Sequence, residues 1–230
     1  MKSRLQKNFV ITGVLFALFI IFTILVMYVD VQPVGPQNSK VGFASLNQVI
    51  HDSVGEHEFW YQVSKYAGML PILTALCFVA LGAKQLVQGR SFFKVDIVVI
   101  LMGFYYVLVG IVYVLFEVVV INYRPVIRDA AVGLEASYPS SHTILAVCIM
   151  SAAILYAGKR IRDRRIRNAV TAVSVVVMLV VVVGRFLAGV HWFTDIIGGL
   201  VLSAALVMLY YSVLQYALSL KAKRTKKQSA

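Results

Sequence analysis

The sequence predicts an all-α membrane protein, a bundle of six transmembrane helices with a short amphipathic interfacial helix between helices one and two. Three observations predict it. Apolar residues make up 60% of the 230 residues, where roughly 45–50% is usual for a comparable set in soluble proteins. Charged residues are 14% against about 25%, too few to cover a soluble surface. The basic residues are also segregated. With both termini placed in the cytoplasm, 17 of the 22 Lys and Arg fall inside: Lys2, Arg4, Lys7, Lys84, Arg90, Lys94, Lys159, Arg160, Arg162, Arg164, Arg165, Arg167, Lys221, Lys223, Arg224, Lys226 and Lys227. Lys40, Lys65, Arg124, Arg128 and Arg185 fall outside or near outer helix ends. Such asymmetry sets topology in multi-pass membrane proteins. The net charge of +12 therefore reads as topology and contact with anionic headgroups of the bilayer, not as nucleic-acid binding.

The first apolar stretch, 8–29, follows Met1-Lys2-Ser3-Arg4 as a signal peptide would. It outruns the usual apolar core of about 7–15 residues, and no small-residue cleavage site follows Tyr28-Val29-Asp30, so it reads as an uncleaved helix. The connection 30–62 opens on a turn-forming stretch with Pro33 and Pro36. Within it Phe43, Leu46, Val49 and Ile50 recur at helical spacing, which predicts a short amphipathic helix covering or gating the bundle. His51 and His57 lie in polar company and read as solvated. Phe59-Trp60-Tyr61 marks the re-entry into lipid. Spanning helices are then expected over 63–83, 95–121, 141–158, 169–188 and 193–219. Cys77 and Cys148 fall inside them and read as small hydrophobes. With no repeat or linker, 1–230 reads as a single membrane domain.

The informative residues gather at the outer ends of helices three to six. Arg124-Pro125 closes the third, since proline cannot continue the hydrogen-bond ladder. Tyr138-Pro139-Ser140-Ser141-His142 opens the fourth, with Ser140 or Ser141 expected as cap. The outward amides of such a helix start bind anions. Arg185 lies near the end of the fifth. His191 and Asp195, four residues apart at the start of the sixth, are expected to share a helical face, the carboxylate orienting the imidazole. Arginine offers a fork of donors matched to phosphate oxygens. Charged groups at membrane depth are costly and mark function. No carboxylate cage or Cys/His ligand set is present, so neither metal nor cofactor is expected. Glu117 lies two turns before Arg124, and is expected either to pair with Arg124 or Arg185 and hold that guanidinium from below, or to reach the outer interface and be solvated.

These residues resemble the motifs of the type 2 phosphatidic acid phosphatase superfamily: K-x6-R-P, P-S-G-H and S-R-x5-H-x3-D. The third reads Gly184-Arg185, five residues, His191, three residues, Asp195; the second reads Pro139-Ser140-Ser141-His142; the first ends in Arg124-Pro125, with Glu117 in place of lysine. Ser141 and Gly184 also depart from the pattern, replacing glycine and serine. The resemblance implies a metal-independent membrane lipid phosphatase. It makes His191 the nucleophile that forms a phosphohistidine, Asp195 its orienter and His142 the acid for the leaving alkoxide. Arg124, Arg185, Ser140 and Ser141 would bind the phosphoryl oxygens. Undecaprenyl diphosphate, phosphatidic acid and phosphatidylglycerophosphate are all compatible substrates. The implied place is the cell membrane, with the site on the extracytoplasmic side. A catalytically degenerate relative, or a lipid transporter or scramblase without chemistry, is the alternative.

Overall fold

Most helices in this chain end where apolar runs meet glycine or charge, α5 excepted, and the breaks set the architecture. The computed structural model describes residues 2–228, with side chains over 3–223. The side chains of Lys2, Arg224, Lys226 and Lys227, assigned to the cytoplasm above, thus lie outside the described residues. Helix α1 spans Lys2–Tyr28, α2 Ala44–Val54, α3 Glu58–Ala67, α4 Met69–Gly89, α5 Ile97–Val118, α6 Ser141–Arg160, α7 Arg164–Leu187 and α8 Phe193–Gln228. Helices α3 and α4 form one crossing jointed at Gly68, so six stretches of the described residues are long and apolar enough to span a membrane. The second starts at Glu58, further out than expected. The third ends at Val118 and not at 121, well before Pro125, so Arg124-Pro125 does not close it.

Local chemistry fixes the helix starts. Asp96 caps α5 by accepting the Val98 N–H at 3.0 Å, and Asp163 caps α7 through Arg165 N–H at 2.7 Å. Ser140 precedes α6, yet its side chain makes no cap bond; its hydroxyl accepts from Thr143 Oγ1 and its N–H donates to the Asp195 carbonyl at 3.0 Å. The expected serine cap is therefore replaced by a tie to α8.

Helix α6 lies at the centre, touching α4, α5, α7 and α8, while α1 runs along α8 and α3 along α7. Met102, Tyr105 and Val109 of α5, Ile144 and Cys148 of α6, and Leu206, Tyr210 and Leu214 of α8 meet in the core, with Phe19 and Val26 of α1 against them. Outward aliphatic side chains of α1 and α4, such as Ile20, Ile24, Leu73 and Leu76, stay exposed. Lipid is as apolar as leucine, so such faces need no protein cover. Cys77 is on that exposed surface and Cys148 in the core.

The expected interfacial helix is α2, but it docks by its polar side. Leu46 and Val49 are exposed, whereas Asn47 is fully buried. Asn47 Nδ2 donates to Gly42 O at 2.8 Å and Thr194 Oγ1 at 2.9 Å, and its Oδ1 accepts the Thr194 N–H at 3.1 Å. That amide belongs to the first turn of α8 and has no partner within its own helix. His51, read as solvated, is half-buried instead: Nε2 donates to Gly189 O at 3.1 Å and the ring lies 5.4 Å from that of Trp192. His57 is exposed.

Candidate active site

Asp195 is the third residue of α8. Its Oδ2 reaches back to the Trp192 N–H at 2.9 Å, closing the first turn as acidic residues at this position do. The side chain is fully buried, and a buried carboxylate needs donors. Ser137 Oγ donates to Oδ2 at 2.5 Å and Asn122 Nδ2 to Oδ1 at 3.3 Å.

His191 precedes α8, so the shared helical face expected with Asp195 does not exist. Its Nδ1 is 3.9 Å from Asp195 Oδ2, too far for a hydrogen bond. The Ser137 hydroxyl bridges them, 3.0 Å from Nδ1. A hydroxyl has one hydrogen, and here it goes to the carboxylate, which can only accept. The serine oxygen then accepts from Nδ1–H. This fixes the tautomer and leaves the lone pair on Nε2, which is buried without a hydrogen-bond partner among the described residues. Burial foremost, then the charges of Arg124 and Arg185 and the neighbouring His142, hold the imidazole well below its ordinary pKa. His191 is neutral at pH 7.

Arg185, at the end of α7, is 2% exposed, and its Nη2 lies 2.5 Å from His142 Nε2. A guanidinium only donates, so His142 accepts on Nε2 and carries its proton on Nδ1. Arg185 Nε and His142 Nδ1 are both buried without a hydrogen-bond partner among the described residues. Two glycines let α3 and α4 close over this pair. A Cβ at Gly68 would come within 3.1 Å of His142 Cδ2, and one at Gly184 within 2.9 Å of Ser64 Cβ. The serine that Gly184 replaces in the motif would therefore collide with α3.

Arg124 sits in the 119–140 connection, folded back by pairing of Tyr123 with Ala136. Its N–H donates to Glu135 O and its Nη1 pairs with the Glu135 carboxylate at 3.1 Å, while Nε is buried and unpaired. Glu117 does not hold either arginine. It is exposed near the end of α5 beside Tyr113, and the helical register that would stack it under Arg124 stops at Val118. Ser141 is the first residue of α6 and lacks a positive φ, so the conformational freedom of the glycine it replaces goes unused.

The structure brings His142, Arg185, His191, Asp195 and Arg124 to one end of the bundle, with Ser140 and Ser141 at the start of α6. Sequence reasoning missed Ser137, Asn122, Glu135 and Tyr61. Ser137 carried one usable signal, its place two residues before Pro139 in the segment that opens α6.

The family model described as PAP2 superfamily matches residues 73–219. Among solved structures, the chain is similar to a crystal structure of the first transmembrane PAP2 type phosphatidylglycerolphosphate phosphatase from Bacillus subtilis. The identity is 17%, over 89% of this chain and 96% of that chain, with a TM-score of 0.59, a likeness of fold. Comparison with curated proteins finds no match.

Proposed function

The chain belongs to the PAP2 superfamily, and on that premise we propose that it is a metal-independent lipid phosphatase working through a phosphohistidine. The observation that carries this reading is His191: neutral, its Nδ1 engaged through Ser137 to Asp195, its Nε2 unpaired, with Arg124, Arg185 and His142 close enough to act on it electrostatically.

His191 Nε2 attacks the phosphorus, and the bond from phosphorus to the leaving oxygen breaks. Arg124, Arg185 and the amides at the start of α6 beside Ser140 and Ser141 hold the phosphoryl oxygens, stabilising charge that spreads over them in the transition state. The bound phosphate draws Arg185 off His142 Nε2, which takes up a proton from the monoanionic phosphate ester or from solvent; the imidazolium so formed gives that proton to the leaving oxygen and returns to the neutral form. In the second step His142 accepts a proton from water, whose oxygen attacks phosphorus and releases phosphate and His191. Two easier displacements replace one hard one. His191 develops positive charge while bonded to phosphorus, and the Ser137–Asp195 link stabilises it.

The substrate is a membrane lipid phosphate, since α2 and the site lie at the ends of apolar spans. We place both termini in the cytoplasm and the site on the extracytoplasmic face, because basic residues crowd the opposite helix ends. The whole chain acts as one catalytic domain. Phosphate release from a lipid panel in detergent tests the reaction, with acid-labile phosphate on the protein expected in the unaltered chain and lost in His191→Ala. A lipid transporter would release none. For sidedness, Ala131→Cys and Arg164→Cys are introduced separately into a chain lacking Cys77 and Cys148, and intact cells are treated with an impermeant thiol reagent. Labelling at 131 alone is expected; labelling at 164 alone would invert the topology.

A further inference from the structure

Tyr61 stands on α3 at the rim of the site, and three cations gather on its ring. The Arg128 guanidinium carbon is 4.1 Å from the ring centroid, that of Arg185 5.4 Å and Lys65 Nζ 5.9 Å. Arg185 belongs to the buried phosphoryl site. Arg128 comes from the 119–140 connection and is half-buried, while Lys65 is exposed one turn along α3 from Tyr61. The ring thus joins the buried arginine to two cations nearer solvent.

Arg128 is anchored but not used up. Its Nη2 pairs with Glu58 Oε2, and Gln62 Nε2 holds the other carboxylate oxygen at 2.6 Å. The rest of the fork has no hydrogen-bond partner among the described residues. A guanidinium stacked on an aromatic face keeps its edge N–H groups directed outward in its own plane, suited to a flat or tetrahedral anion. Arg124, Arg185 and the α6 amides already supply donors to one phosphoryl group. Arg124 and Arg128 also act on Arg185 with like charge, offset in part by Glu135.

We propose that Arg128 and Lys65, arranged on Tyr61, form a second anion subsite, so that the substrate carries a second phosphate group beyond the one removed. Two lipid chemistries supply it: a lipid diphosphate, or a phosphodiester whose glycerol bears the terminal phosphate. A phosphomonoester such as phosphatidic acid leaves the subsite empty. This inference rests on the phosphatase reading above.

The test compares a prenyl diphosphate, phosphatidylglycerophosphate and phosphatidic acid as substrates of the full chain. Arg128→Gln is expected to raise KM for at least one two-phosphate lipid about ten-fold or more, with kcat little changed, and for phosphatidic acid no more than about three-fold. Lys65→Met should act in the same direction and more weakly, since its ammonium is exposed. The lipid showing the larger effect identifies the source of the second phosphate. Glu58→Gln removes the anchor and keeps both cations, so its loss should be smaller than that of Arg128→Gln. Equal losses on all three lipids, or a Glu58→Gln loss matching Arg128→Gln, would overturn the subsite and make the ion pair a strut between α3 and the 119–140 connection. Failure of the unaltered protein to hydrolyse any of the three would instead overturn the phosphatase reading, and the subsite with it.

Discussion

At the basic end of the bundle, Arg160 of α6 gives both Nε and Nη2 to the Asp96 carboxylate; at the opposite end, Arg185 of α7 reaches His142 with Nη2 and leaves Nε unpaired. Asp96 is saturated in every direction. It caps α5, its own N–H goes to Gln85 Oε1 at 2.9 Å, and its ion pair ties α5 to α6. Around Arg185 the buried nitrogens Arg124 Nε, His142 Nδ1 and His191 Nε2 are unmatched. Buried donors and acceptors left unmade cost stability, so a native fold keeps a group of them where a ligand completes the set. The same residue types make a joint at one end and, on the reading proposed above, a receptor at the other.

The comparison breaks most sharply at His191. His191→Ala should lower phosphate release by at least about 10³-fold while the protein remains folded and monodisperse in detergent, because an activated nucleophile has no substitute. Turnover near that of the unaltered chain would remove the phosphohistidine. Ser137→Ala should cost about 10–100-fold, chiefly in kcat, by cutting the hydroxyl link that brings Nδ1 to the carboxylate. An unchanged kcat would mean that the 3.9 Å approach to Asp195 suffices.

The pH profile sharpens the contrast at smaller scale. A nucleophile with the ordinary imidazole pKa of about 6.5 would lose roughly two-thirds of its neutral form on going from pH 7 to pH 6. With the His191 pKa held well below that value, protonation of the nucleophile begins only at lower pH, and kcat/KM should fall less than two-fold over this interval. An acid limb centred at 6.5 or above would contradict the burial that defines the site. At the other end, Asp96→Ala should leave turnover within about two-fold and lower the thermal midpoint by about 2–4 °C, the shift that loss of a cap and a partly exposed ion pair gives in a domain of this size. The smallest effect is expected at Glu117, where exposure makes Glu117→Gln silent to within about two-fold in kcat/KM. A larger loss would place the carboxylate back beneath an arginine.

What the sequence made legible follows from how each signal is carried. A spanning helix is a property of one continuous segment, so six apolar runs were enough to find six crossings. Arg124, His142, Arg185, His191 and Asp195 were visible because their residue types are rare at membrane depth, and all but Arg124, which lies in a connection, fall near helix ends. Ser137 was not, since its meaning depends on a partner 54 residues away, and a lone serine in a polar loop has no periodicity. Asn47 was not legible for a related reason: apolar spacing found the interfacial helix through Leu46 and Val49 but says nothing of which side meets the bundle, and in lipid the apolar side can face outward while a carboxamide does the docking. Glu117 failed through an assumption about register. The chain leaves the helix at Val119, so counting turns to Arg124 crossed a break invisible in a run of apolar residues.

Asn122 accepts the Gly42 N–H through Oδ1 at 3.4 Å and hands its Nδ2 to Asp195, so one carboxamide connects the segment after the first crossing to the start of the last. The histidine is thus held by residues drawn from positions 42, 122, 137 and 195, and no contiguous portion of the chain contains enough of them. Under the mechanism proposed above, the growing polypeptide would stay chemically silent while five crossings enter the bilayer. Hydrolytic competence would then arrive in one event, when the sixth is threaded in and its first turn meets the carboxamides of Asn47 and Asn122.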